Sequence, residues 1–175
     1  AFLTLWAGRT QNKKSRQTLL WPLTTYASSY YWYAAIPLAF FVFVGAGILA
    51  IHADGQTKPL PYIPLFNSTE LAIAFALLIL IGWRNLILTA NPSPRGSEWV
   101  RQSGFKVALA ALAFLAINTV WLRVAHHFFT VPWSPTPLFK SFVVQTGYTI
   151  LWSVLALGLM VLAHRRLTRT MWLAG

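Results

Sequence analysis

Residues 33–51 read YAAIPLAFFVFVGAGILAI, a stretch without a single charge. Nineteen residues of α-helix, at about 1.5 Å of rise each, reach roughly 28 Å, close to the ~30 Å hydrocarbon core of a bilayer. The one proline, Pro37, stands near the start, where a missing N–H is tolerated. The stretch therefore predicts a membrane-spanning helix over about 31–52.

Moving toward the C-terminus, HADGQTKPLPYIPLFNS (52–68) reads as a loop. Pro59, Pro61 and Pro64 stiffen it toward extended geometry. Asn67 followed by Glu70 has the spacing of an N-cap with a capping carboxylate at the third helical position. A second span follows over about 68–88. Its uninterrupted apolar run is Leu71–Trp83, after which Arg84 and Asn85 intervene. Arg84 can snorkel to the headgroups if the helix ends a turn later. NPSPRGSEWVRQSG (91–104) is rich in turn residues. The third span, about 105–127, carries Ala110, Ala113 and Ala116 as a small-residue stripe suited to close helix packing. HFFTVPWSPTP (127–137) predicts a turn, and a fourth span runs over about 138–163. Its Gln145, Thr146, Tyr148 and Ser153 are expected to face other helices.

Toward the N-terminus, 17–33 is semi-polar and aromatic, suited to the interface or to a partial helix leading into the first span. RTQNKKSR (9–16) is a basic loop, and AFLTLWAG (1–8) reads as the tail of another apolar segment. HRRLTRT (164–170) is basic, and MWLAG (171–175) opens a further apolar run. The stretch is thus expected to be one transmembrane helical region, 1–175, within a longer multi-spanning chain. There is no basic n-region of a signal peptide at its start, and no internal repeat.

Composition agrees. Of the 175 residues, 57 % are hydrophobic and 10 % charged, against about 25 % charged in soluble domains. Mean hydropathy is +0.56. Too little charge is present to cover a water-facing surface, which excludes a soluble globular enzyme, and the hydrophobicity excludes disorder. The 9 Trp, 6 Tyr and 12 Phe suit membrane-interface belts. With 0 Cys there is no disulfide, thiolate or zinc–thiolate chemistry. The net charge of +11 sits in clusters between apolar runs, which favours topology control and anionic lipid headgroups over nucleic acid.

Those clusters alternate. Arg9, Lys13, Lys14 and Arg16 fall in one segment, Arg84, Arg95, Arg101 and Lys106 in the next but one, and Arg165, Arg166 and Arg169 in the last. The intervening loops hold only Lys58, then Arg123 and Lys140. Lys and Arg are retained on the cytoplasmic side. Segments 9–16, 84–106 and 164–170 are therefore expected to be cytoplasmic, with the loops near 52–68 and 126–138 on the opposite face. Removing the second span would destroy the alternation.

Three motif groups carry a family likeness: PLPYIPLFNSTELAIAFALL (59–78), HHFFTVPWSPTPLFKSFVVQTGYTILWSVLALGLMVLAHRR (126–166) and RTMWLAG (169–175). In their order and spacing they resemble the C-terminal part of a large bacterial family of predicted membrane proteins, domain of unknown function 2339. The likeness covers roughly 55–175. Ser68 stands where the family pattern has Pro, a mild departure. The resemblance implies a long, many-spanning bacterial inner-membrane protein with more helices on both sides. It implies no catalytic residues.

On the expected outer face the sequence gathers His52, Asp54, Glu70, Arg123, His126 and His127. Imidazoles and carboxylates can bind a divalent metal or move protons. Against this, adjacent histidines project about 100° apart on a helix, and no H-E-x-x-H or comparable ligand spacing occurs. The histidines also suit a helix C-terminus electrostatically. Arg123 could grip an anionic headgroup or lipid-linked phosphate, or snorkel, or pair with Glu70. Glu70 fits a helix cap better than an acid catalyst. Asn118 and Gln145, inside spans, read as interhelical glue before a transport site. Tyr62 and Trp133 are placed for the interface. No P-loop, dinucleotide fingerprint or G-x-S-x-G elbow is present.

The expected fold is an all-α polytopic transmembrane helix bundle with at least four spans. No metal or cofactor is indicated, and whether the chain is an enzyme is left open. The expected partners are the lipid bilayer, including anionic lipids, and other membrane helices. The expected role is a structural or accessory component of an envelope-related membrane complex. The alternative is a transporter or lipid-handling enzyme with its site on the non-cytoplasmic face.

Overall fold

The computed structural model describes residues 26, 29–56, 59, 61–90 and 94–166. All the regular structure among them is helical. A π-helical turn (Ser29–Tyr33) leads into α1 (Ala35–His52). There follow α2 (Ser68–Thr89), the one-turn α3 (Glu98–Arg101) and α4 (Ser103–Phe129). The short α5 (Pro135–Lys140) and α6 (Phe142–Arg166) complete the order. Among the described residues, four stretches are long and apolar enough to cross a membrane: Ser29–His52, Ser68–Thr89, Ser103–Phe129 and Phe142–Arg165. The protein is all-α and polytopic. The expectations for 1–16 and 171–175 lie outside the described residues.

The exposed surface of these helices identifies their solvent. Phe40, Phe41, Ile48, Phe75, Leu78, Val107, Phe114, Ile150 and Leu157 all point outward. Burying one such side chain is worth about 1.5–3 kcal/mol in water, so an aqueous surface built of them would associate. In hydrocarbon they cost nothing.

The chain divides into two compact units, Ala1–Ile117 and Asn118–Gly175. The first holds the π-helical turn, α1, α2, α3 and the first half of α4. In the turn, the Ala34 N–H reaches back to the Ser29 carbonyl (3.0 Å). This wide turn buries two adjacent large side chains, Tyr31 and Trp32. They pack with Ala35, Trp83, Ile87 and Val100. A second cluster joins Ala46, Leu80, Leu109 and Leu112. The buried face of α4 in this unit is therefore leucine. Of the expected alanine stripe, Ala110 is exposed and Ala113 and Ala116 are half-buried.

The second unit holds the end of α4, α5 and α6. Ala125, Val131, Leu138 and Val144 form its centre, with Leu122, Trp133 and Tyr148 against them. The last long helix begins at Phe142, later than the sequence suggests, because 135–140 forms a helix of its own. Pro135 and Pro137 sit in its first turn, where their missing N–H groups have no intrahelical duty. Ser141, in extended geometry, ends it; the Ser141 carbonyl then accepts the Gln145 N–H (3.1 Å) to start α6. The Gln145 side chain returns to the Phe139 carbonyl (2.9 Å). Gln145 thus caps the break between α5 and α6, and it is exposed, as are Thr146 and Ser153, against the expectation that they face other helices. Thr149 and Ser153 settle their hydroxyls on carbonyls one turn back, at Gln145 (3.1 Å) and Thr149 (2.8 Å). That arrangement lets a hydroxyl face hydrocarbon.

Candidate functional site

The six candidate residues fall into two sets, one in each unit. His52 closes α1, Asp54 follows it, and Glu70 lies in the first turn of α2. Asn67 ties these two helix ends together. Its side-chain oxygen accepts the Thr69 N–H (2.9 Å), and its side-chain NH₂ donates to the Gly55 carbonyl. Asp54 Oδ1 accepts the Gln56 N–H (3.0 Å) in a local turn.

Glu70 is buried, at 6 % exposure. One carboxylate oxygen accepts the Tyr62 hydroxyl and the other accepts the Leu65 N–H. The spacing predicts a capping carboxylate, and the structure shows it reaching beyond Asn67 to organise the whole PYIPLF turn. Leu65 is left-handed (φ 68°), a conformation costing a non-glycine residue about 1–2 kcal/mol. Charge-assisted bonding of its N–H to Glu70 offsets that cost. The loop is inverted in polarity: Tyr62 and Asn67 turn inward while Ile63, Leu65 and Phe66 are exposed.

In the second unit, α4 ends at left-handed Thr130 (φ 55°). The chain folds back so that the Val131 N–H meets the Ala125 carbonyl (3.4 Å) and the Val131 carbonyl meets His126 Nδ1 (2.7 Å). A carbonyl only accepts, so Nδ1 carries the proton and Nε2 remains free of that duty. The His126 and His127 rings lie 4.8 Å apart, edge to face, and Trp133 stands 5.8 Å from His126. The neighbouring imidazoles thus touch each other edge to face.

Arg123 is fully buried, at 0 % exposure. Burial of the whole side chain does not fit snorkelling. Its Nη1 lies 3.5 Å from Thr119 Oγ1, one turn earlier on α4. Asn118 is likewise buried. Its side-chain oxygen accepts the Trp152 indole N–H (2.8 Å), and its carbonyl accepts the Tyr148 hydroxyl (3.4 Å). Asn118 therefore joins α4 to α6, as interhelical glue does.

Among the described residues no group of three or more His, Cys, Asp or Glu could hold a metal ion. Arg84 Nε and Ser97 Oγ are buried with no hydrogen-bond partner.

The most elaborate aromatic construction lies at the other end of the first unit. Trp32 stacks on Trp83 (5.9 Å, 14°), and Trp99 tilts against both at 6.0 and 6.1 Å. Phe105 meets Trp83 and Trp99 edge-on. The indole N–H groups of Trp32 and Trp83 donate to the carbonyls of Arg95 (3.0 Å) and Tyr31 (2.9 Å). Arg101 Nη2 caps α2 at the Ile87 carbonyl (3.0 Å). Its signal in the sequence is the interleaving of Trp83 with Arg84, Trp99 with Arg101 and Phe105 with Lys106.

The family model described as predicted membrane protein (DUF2339) matches residues 1–175, beyond the 55–175 that the motifs alone mark out. No curated protein and no solved structure matches the chain.

Proposed function

Because this chain belongs to the DUF2339 family of predicted membrane proteins, we propose that it serves as a structural or accessory component of an envelope-related complex in a bacterial inner membrane. In this reading, 9–16, 84–106 and 164–170 lie on the cytoplasmic side. The outer face carries the turn after α1 and the α4–α5 turn.

The observation that carries this reading is the employment of the polar side chains. Glu70 organises a turn, Asn67 joins two helix ends, Asn118 bonds Trp152, and His126 closes the end of α4. Buried polar groups used this way fix a scaffold. Meanwhile the outward faces of α1 and α6 offer Phe40, Phe41, Ile48, Ile150 and Leu157 to lipid or to neighbouring helices.

A second reading rests on Arg123. A buried ionisable residue within a span is by default a candidate for transport or lipid handling, and His126 and His127 lie one turn further along α4.

Photo-crosslinkers at Phe41 and Ile48 of the full-length protein, activated in native membranes, separate the two. Reproducible adducts with the same membrane proteins support the structural role. Lipid adducts alone, together with solute flux or lipid turnover that His126→Gln abolishes in an intact fold, would overturn it in favour of the second reading.

A further inference from the structure

We infer that the first unit binds one anionic phospholipid at its basic, tryptophan-rich end, with an acyl chain in a groove between α1, α2 and α4. The inference requires only that the helices span a bilayer, so it stands or falls separately from either functional role.

The groove has a volume of about 230 Å³, and Phe43, Leu80, Trp83, Trp99, Phe105 and Leu109 line it. All of its lining residues are apolar or aromatic. Its lining runs from Ile36 to Phe43 along α1, a rise of roughly 10 Å. An acyl chain has that shape and chemistry. A polar substrate would leave its hydrogen-bonding groups unpaired there.

The residues beside one end of this lining identify the headgroup. Trp99 and Phe105 stand at the end where α2 finishes and α4 begins. Lys106 follows Phe105 directly, Arg101 lies two residues after Trp99, and Arg95 is on the same connection; all three are exposed. Glu98 is the one acid in that stretch. Tryptophan belongs at the headgroup level, and clustered Lys and Arg beside a span attract anionic lipid at about 1 kcal/mol per cation. An apolar slot below a tryptophan rim with a positive collar complements a phospholipid with net negative charge.

The test is native mass spectrometry of the full-length protein in mild detergent. It is offered phosphatidylglycerol, phosphatidylcholine of the same acyl composition, or free fatty acid. We expect phosphatidylglycerol to be retained in preference to the other two. Lys106→Gln should reduce that preference about fivefold, and Ala108→Phe, which fills the groove, should remove the retained lipid. Lys106 is exposed, so the headgroup arm remains decisive even if Ala108→Phe impairs insertion. Equal retention of both phospholipids would overturn the inference, as would fatty acid held as well as phosphatidylglycerol. So would a Lys106→Gln protein with undiminished preference, or a stably inserted Ala108→Phe protein that keeps its lipid.

Discussion

A methyl group placed on Gly147 would fall 1.8 Å from Cζ2 of Trp121. The indole of Trp121, on α4, occupies the space that any side chain at 147 would need, and its N–H donates to the Val144 carbonyl of α6 (3.2 Å). Glycine is what allows the two helices to meet through this ring. Gly147→Ala should therefore force Trp121 aside and lower stability by about 1–3 kcal/mol. Thermal unfolding in detergent, followed by tryptophan fluorescence, checks this; an unchanged midpoint would show that the ring has room to move. A methyl group at Gly45, Gly47, Gly104 or Gly158 would meet nothing within 4 Å, so alanine at Gly158 serves as the control.

Glu70→Ala should cost more than a lost surface charge. It strands the Tyr62 hydroxyl and the N–H of left-handed Leu65. A buried group left unpaired costs about 1–3 kcal/mol, so we expect a large drop in thermal midpoint and faster proteolysis near Pro64. Glu70→Gln keeps one acceptor but turns an NH₂ toward a donor, and should fall between wild type and Glu70→Ala. Proteolysis and melting that both match wild type would remove the carboxylate from its capping role.

Ser97→Ala should behave unlike an ordinary loss of a helix cap. Ser97 is buried and precedes α3, yet its side chain makes no capping bond and Oγ has no partner. Removing an unsatisfied hydroxyl relieves a desolvation cost. We expect an unchanged or higher midpoint, by up to about 1 kcal/mol. A marked decrease would mean that the hydroxyl is bonded.

Asn118 and Trp152 should be coupled. Asn118→Leu and Trp152→Phe each break the same 2.8 Å bond, so their effects should not add. Interhelical hydrogen bonds of this kind couple by about 0.6 kcal/mol on average and up to about 1.7. A double-mutant cycle by thermal or denaturant unfolding measures the term, and strict additivity would contradict it.

Thr136→Cys tests the orientation. The sequence has 0 Cys and Thr136 is exposed on α5. A membrane-impermeant thiol reagent should label it from the non-cytoplasmic side of intact cells. Labelling only after the cytoplasmic side is opened would reverse the topology.

The sequence by itself determined the solvent and the four spans found among the described residues. Hydropathy and length are properties of a segment, so YAAIPLAFFVFVGAGILAI could be read as a span without knowing its neighbours. Local chemistry was legible for the same reason: Asn67 caps α2 through the Thr69 N–H two residues on, whereas the reach of Glu70 to Tyr62 and Leu65 depends on how the preceding turn folds. Tertiary structure decided which faces meet. Spans that are apolar all round carry no stripe to mark their inner side, so the expected stripe of Ala110, Ala113 and Ala116 is at most half-buried while Leu109 and Leu112 are buried. The bond from Trp152 to Asn118, the seat of Trp121 on Gly147, and the gathering of Trp32, Trp83 and Trp99 depend on how far each helix is rotated. That rotation is set by the sum of contacts across elements distant in sequence, and no local pattern encodes it.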